Sequence, residues 1–103
     1  MKPFALTSLA SRDLHEIWEY LAEENIEAAD RTLAAVEKTL RKLARSPGLG
    51  HMRDDLADRR HRFFLVDPYL IVYRPATKPL QVIRVLHAAR DVQALLGISE
   101  DTP

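Results

Sequence analysis

The sequence predicts an α+β fold: an N-terminal strand, an antiparallel helical hairpin, then a three-stranded antiparallel meander, with the helices packed on one sheet face. Three observations carry this. Two long segments in the first half repeat apolar residues at three- and four-residue spacing. Three runs in the second half are rich in β-branched and aromatic residues and are separated by proline-containing turns. The links between those runs are too short for crossovers, so neighbouring strands must be antiparallel.

"KPFALT" reads as the first strand, restricted by Pro3 to an edge or a strand start. Thr7 or Ser8 can cap the helix that follows by accepting from a free backbone N–H. In "LASRDLHEIWEYLAEEN", Leu14, Ile17, Trp18 and Leu21 make an apolar stripe, while Asp13, Glu16, Glu19 and Glu23 are expected on other faces. The stripe, Trp18 included, reads as core, although Trp18 could line the margin of a partner groove.

Asn25 ends this helix or caps the next, "IEAADRTLAAVEKTLRKLARS". Its stripe is Ile26, Ala29, Leu33, Val36, Leu40 and Leu43, with acids early and bases late, which complements the helix dipole. Pro47, Gly48 and Gly50 stop it. The short link between the helices folds them into a hairpin. "GLGHMRDDLADRR" has no period and reads as a loop. "HRFFLV", "YLIVYR" and "LQVIRVLH" are the meander strands, and "ARDVQALLGISEDTP" reads as a short helix from Asp91 that frays after about residue 96. The partner of the first strand is not written in any local signal.

The 103 residues suit one domain spanning 1–103. The absence of cysteine excludes disulfides, thiolate metal sites and a cysteine nucleophile. No signal peptide or apolar run of membrane-spanning length is present, which fits a cytoplasmic protein. His15, His51 and His61 lack metal-ligand spacing, so no metal and no cofactor are expected. Formal net charge is zero, but seven acids face two bases up to Asp30, and nine bases face four acids from Arg31 to Val66. A basic middle suggests an anionic partner, nucleic acid or acidic polypeptide. With zero net charge and no recognition-helix or finger motif, direct sequence-specific DNA binding is not expected.

Two stretches bear on function. "RVLHAARD" places His87 between Arg84 and Arg90 at a strand end. His87 as base or acid, with Arg62, Arg74 and Arg84 to stabilise charge, would be raw materials for RNA cleavage, which needs a base, an acid and cations. Strict alternation, however, puts Ile83, Val85 and His87 on the core face and Arg84 with Leu86 on the open face, so His87 and Arg84 meet only if the strand ends or bulges. "DRRHR" adds Arg59, Arg60 and Arg62 as candidate contact residues.

"LTSLASRDLHEIWEYLAEENIEAADRTLAAVEKTLRKLARSPGLG", followed by "YLIVYRP" and "IRVLHAARD", resembles the ParE branch of the RelE/ParE toxin superfamily from about Phe4 to about Leu96. The resemblance implies the toxin of a type II toxin–antitoxin pair, held inactive in a tight hetero-oligomer by a cognate antitoxin. ParE-like members act on DNA gyrase and trap it on broken DNA, whereas RelE-like members cleave mRNA on the ribosome. RNA-cleaving relatives follow the strand-end histidine with a tyrosine and carry a glutamate or lysine cluster before the meander. This chain has Ala88 there, no tyrosine after Tyr73, and Asp54, Asp55 and Asp58 with Arg53 in the loop. The expectation is therefore no catalytic residue, with His87, Arg84 and Arg62 as the nuclease alternative. His87 would then be structural, anchored by Arg90 or Asp91. The candidate antitoxin or target contacts are Arg59, Arg60, Arg62, Arg74, Arg84 and Arg90. A third possibility is a non-toxic module that only binds antitoxin.

Overall fold

The computed structural model describes residues 2–53 and 58–89. Strand β1 (Phe4–Leu6) leads into α1 (Ser8–Ala22) and α2 (Ile26–Arg45), followed by a 3₁₀ turn, Pro47–Leu49. Then come β2 (His51–Arg53), β3 (Asp58–Val66), β4 (Tyr69–Arg74) and β5 (Leu80–His87). They form a five-stranded sheet in the order β1-β5-β4-β3-β2, with β1 parallel to β5 and the other pairs antiparallel.

Local chemistry sets the helix ends. Thr7 is the cap of α1, its hydroxyl accepting from the Ala10 N–H at 3.0 Å, and Asn25 caps α2 through the Ala28 N–H at 3.0 Å. Trp18 sits half-buried at the hairpin seam, where its indole N–H donates to Asp30 at 2.8 Å and ties α1 to α2. Ala10, Val36, Leu40 and Leu43 pack against Tyr69, Ile71, Tyr73, Leu80, Val82 and Val85, forming the main core between hairpin and sheet. Ile26, placed on the apolar stripe by its spacing, is instead 59% exposed, because it is the first residue of α2 and lies beyond the sheet-covered turns.

Strand β4 lies inside the sheet and is buried on both faces, which explains its unbroken apolar run. On the face away from the helices, Phe63, Leu70, Val72 and Leu86 form a second apolar cluster with Ile83 against it.

Two expectations are corrected. The segment read as a loop contains β2 and the start of β3, so the antiparallel part of the sheet has four strands and not three. The short strand pairs irregularly, His51 with Phe63 and Arg53 with Asp58, so it shows no period in the sequence. The strict alternation assigned to β5 also fails. The β4–β5 register slips, Val72 facing Arg84 and Tyr73 facing Val82. The extra residue of this bulge sends Ile83 to the outer cluster and lets Arg84 reach the helical side. The tail read as a short helix from Asp91 lies outside the described residues.

The turn entering β2 is clamped from the sheet. The Tyr73 hydroxyl donates to the Pro47 carbonyl at 2.5 Å and accepts from the Gly50 N–H at 2.8 Å, while Arg62 Nη1 donates to the Gly50 carbonyl at 2.9 Å.

Candidate functional site: a groove between the first helix and the end of the last strand

An open groove of about 660 Å³ runs between α1 and the far ends of β4 and β5. Ile17, Leu21, Tyr69 and Val85 give it an apolar floor, and Leu9, Arg12, Glu16, Tyr20 and His87 stand along its rim. Leu9 is 47% and Tyr20 73% exposed, so large apolar side chains face solvent here.

The groove is built on the β5 bulge, and α1 holds that bulge in place. The Thr7 N–H donates to the Val82 carbonyl at 3.0 Å and its hydroxyl to the Ile83 carbonyl at 2.7 Å. Nearly two turns later Asp13 accepts from Arg84 Nε at 2.7 Å, Arg84 Nη2 at 2.9 Å and the Val85 N–H at 3.0 Å. The carbonyls and the N–H at the bulge thus find partners on α1. The Asp13 and Arg84 side chains are only 8% and 15% exposed. The hydrogen bond to Asp13 raises the Arg84 pKa further above its ordinary value, burial opposes this, and the charges of Asp13 and Glu16 reinforce it. Arg84 is a permanent cation with a carboxylate across its fork.

Asp13, expected on a polar face, is therefore a buried residue facing the sheet. Its spacing was a usable signal: it lies three residues after Ala10 and four before Ile17, on the buried side of α1. An acid there demands a cationic partner.

His87 is exposed at the rim. Its Nδ1 accepts from the Ala89 N–H at 3.1 Å, so the neutral ring carries its proton on Nε2. Its edge meets the Tyr69 ring at a centroid distance of 5.7 Å and an angle of 82°. The Ala88 N–H donates to the Pro68 carbonyl at 2.8 Å, fixing the end of β5 to the β3–β4 turn. Burial raises the Tyr69 pKa above the ordinary tyrosine value, with the nearby Tyr20 adding to the shift. The expected anchors Arg90 and Asp91 lie outside the described residues.

His87 and Arg84 thus share one groove, although the pairing from Arg84 to His87 is regular and the bulge lies just before Arg84. Arg62 does not join them. It pairs with Tyr73, whereas His87 pairs with Tyr69, four residues away along β4. That separation is about 13 Å. Arg74, half-buried, pairs with Gln81 at the same distant end, and Arg60 is exposed on β3. The side chains of Arg59 and Arg90 lie outside the described residues. No cluster of three potential metal ligands occurs among the described residues. Within the groove, Arg12 and Arg84 are balanced by Asp13 and Glu16, so its chemistry is that of an apolar trough with a mixed-charge rim.

Residues 4–92 match the family described as the ParE toxin of the type II toxin–antitoxin system parDE. The chain is 30% identical to Toxin ParE1 of Caulobacter vibrioides over 98 residues, covering 94% of this chain and all of that protein. It is 29% identical to Toxin ParE3 of the same organism over 92 residues, covering 88% and 91% of the two chains. Its fold is similar to a chain from the chromosomal ParDE system of P. aeruginosa, with a TM-score of 0.67, 20% identity and coverage of 82% and 92%. A sequence match across nearly the whole fold, including the α1 segment and the β5 end that build the groove, leaves one conclusion: the chain belongs to the ParE toxin family, the toxin component of a type II toxin–antitoxin system whose partner is a cognate antitoxin.

Proposed function

We propose that this toxin inhibits DNA gyrase by binding it and trapping it on cleaved DNA, and that its antitoxin prevents this by covering the α1–β5 groove. The observation that carries a binding role is the Asp13–Arg84 pair: Arg84, which shares the groove with His87, already has its Nε and Nη2 on a carboxylate. A carboxylate across its fork offsets the charge that Arg84 could offer a phosphorane. An apolar trough flanked by exposed Leu9 and Tyr20 instead suits the apolar side of an inserted helix or strand. A cytoplasmic location follows from this target. The kinship with ParE1 and ParE3 supports the toxin assignment, and the gyrase target is part of the proposal.

The test mixes antitoxin-free toxin with gyrase, ATP and supercoiled plasmid. Linear DNA covalently attached to gyrase should accumulate, and antitoxin should abolish it. Untouched plasmid from a preparation that still arrests growth would move the target to the ribosome. There the sharing of one groove by His87 and Arg84 favours a nuclease. Harmless expression without antitoxin would leave a binding module only.

His87→Ala separates these readings in cells. For a gyrase-binding toxin, growth arrest should persist within about threefold of wild type, because the lost contacts are one ring edge and one surface hydrogen bond. Plating efficiency on inducing medium measures this, and abolished arrest with intact antitoxin affinity would establish the nuclease.

A further inference from the structure

We infer that the solvent face of α2 is a binding surface for the phosphodiester backbone of a nucleic-acid duplex. Arg31, Lys38, Lys42 and Arg45 are all exposed and lie seven, four and three residues apart. At 100° per residue, these spacings place the four within a sector of roughly 60°, a stripe about 21 Å long. The buried residues Ala29, Val36, Leu40 and Leu43 occupy the opposite side of the same helix. The stripe therefore points straight away from the sheet and from the groove under α1.

Among the described residues none of the four is in an ion pair; Arg41 at the flank is the α2 base that is paired, with Glu37 at 2.9 Å. This differs from an ordinary solvated helix face, where both signs alternate. From Arg31 onward Glu37 is the only acid on α2, and it is taken by Arg41. The acids of the hairpin gather at its other end, on α1 and the first turns of α2, so the zero net charge conceals a charge separation along the helix.

The choice between nucleic acid and an acidic protein rests on what lies between the charges. Protein interfaces centre on large apolar or aromatic anchors sealed from water. Ala34 and Ala35 are the exposed apolar residues that flank this stripe, and none of the exposed large hydrophobic residues belongs to it. A row of hydrated cations without an apolar anchor fits phosphates, which bind through counterion release and need no desolvated core. Duplex DNA offers one charge per roughly 1.7 Å, about twelve along a stripe of this length. No base readout is implied, so the expectation against sequence-specific binding stands beside this inference. It is also independent of the toxin's target, because binding is read with the toxin alone.

The test is fluorescence anisotropy of short labelled DNA and RNA duplexes of arbitrary sequence, titrated with antitoxin-free full-length toxin over a salt series. Four phosphate contacts give a log–log salt slope near −3.6 for DNA, a loss of about 100-fold in affinity between 50 and 200 mM salt. Lys38→Gln/Lys42→Gln should lower that slope by about 1.8. The charge-matched control Lys2→Gln/Lys78→Gln should leave it unchanged, with all variants melting like wild type. Comparison of the two duplexes then identifies which nucleic acid supplies the phosphates. Equal weakening by both double variants, or binding of poly-glutamate without binding of either duplex, would overturn the inference.

Discussion

Asp13→Ala should destabilise the antitoxin-free toxin by about 3–5 kcal/mol, the cost of breaking a buried ion pair by removing one partner. The reason is the number of groups that share one carboxylate. Its two oxygens take Arg84 Nε, Arg84 Nη2 and the Val85 N–H. With the carboxylate gone, an arginine side chain that is 15% exposed loses its two-pronged carboxylate partner and the bulge loses a backbone acceptor. A ~100-residue domain loses about 4–8 °C of melting temperature per kcal/mol, so the midpoint should fall by at least about 12 °C. Asp13→Asn should fall between the two, since an amide oxygen still accepts but carries no charge. The informative variant is the double, Asp13→Ala/Arg84→Met. Removing both charges while keeping the bulk of the long side chain should recover much of the loss, because what costs most is a largely buried cation deprived of its carboxylate. Urea denaturation of wild type, Asp13→Ala, Arg84→Met and the double variant measures the coupling. A single-variant loss below about 1 kcal/mol would mean that the pair behaves as an exposed surface bridge.

The same residue marks where sequence reading stops. Both helices were legible because capping and apolar spacing agree: Thr7 and Asn25 stand where the periodic segments begin. The β4 run YLIVY was legible because a strand buried on both faces shows little else than apolar residues. β2 was not, since three residues in an irregular pairing leave no pattern to detect. The β5 bulge was not, because "VIRV" reads as simple alternation unless the partner strand is known. His87 and Arg84 were both visible as chemistry. Their meeting in one groove, and the carboxylate that occupies Arg84, depended on α1 and β5 packing across a separation of 71 residues. Asp13 looked polar and was placed outside; on the helix it falls on the side that the sheet covers. Arg62 and Arg74 were candidate neighbours of Arg84 after strand pairing, and register does set Arg62 opposite Tyr73, next to the partner of Arg84. Arg62 nevertheless bonds the Gly50 carbonyl at the sheet end away from His87, and neither arginine lines the groove.

At that other end, Tyr73→Phe and Gly50→Ala should each destabilise the toxin, by different routes that one pH series can separate. Tyr73 is fully buried, and its hydroxyl both donates to the Pro47 carbonyl and accepts from the Gly50 N–H. Phenylalanine keeps the ring and leaves those two groups without their partner, a cost of about 1–3 kcal/mol. Gly50 has an extended backbone that any residue can adopt, so glycine is needed there for space. A Cβ would lie 2.8 Å from Tyr73 Cε1 and 2.9 Å from Cζ, contacts with a ring that the core holds rigidly. Overpacking of this kind costs about 1–3 kcal/mol. Adding Tyr73→Phe to Gly50→Ala removes the hydroxyl but not the ring carbons, so the double variant should not return to wild-type stability. Burial raises the Tyr73 pKa above the ordinary tyrosine value of 10.0, against smaller lowering effects of the Gly50 hydrogen bond and the Arg62 charge. A raised folded-state value means that its contribution is complete below pH 10 and is lost as pH climbs from 10.0 through that value. Wild type should therefore lose stability above pH 10, and Tyr73→Phe should lose less over the same interval, with Tyr69, also raised by burial, supplying the remainder. Gly50→Ala should keep the wild-type slope at lower absolute stability, or steepen it, because the ionising hydroxyl is still enclosed. Parallel curves for wild type and Tyr73→Phe would show that the hydroxyl reaches solvent and does not clamp the turn that delivers β2 to the sheet.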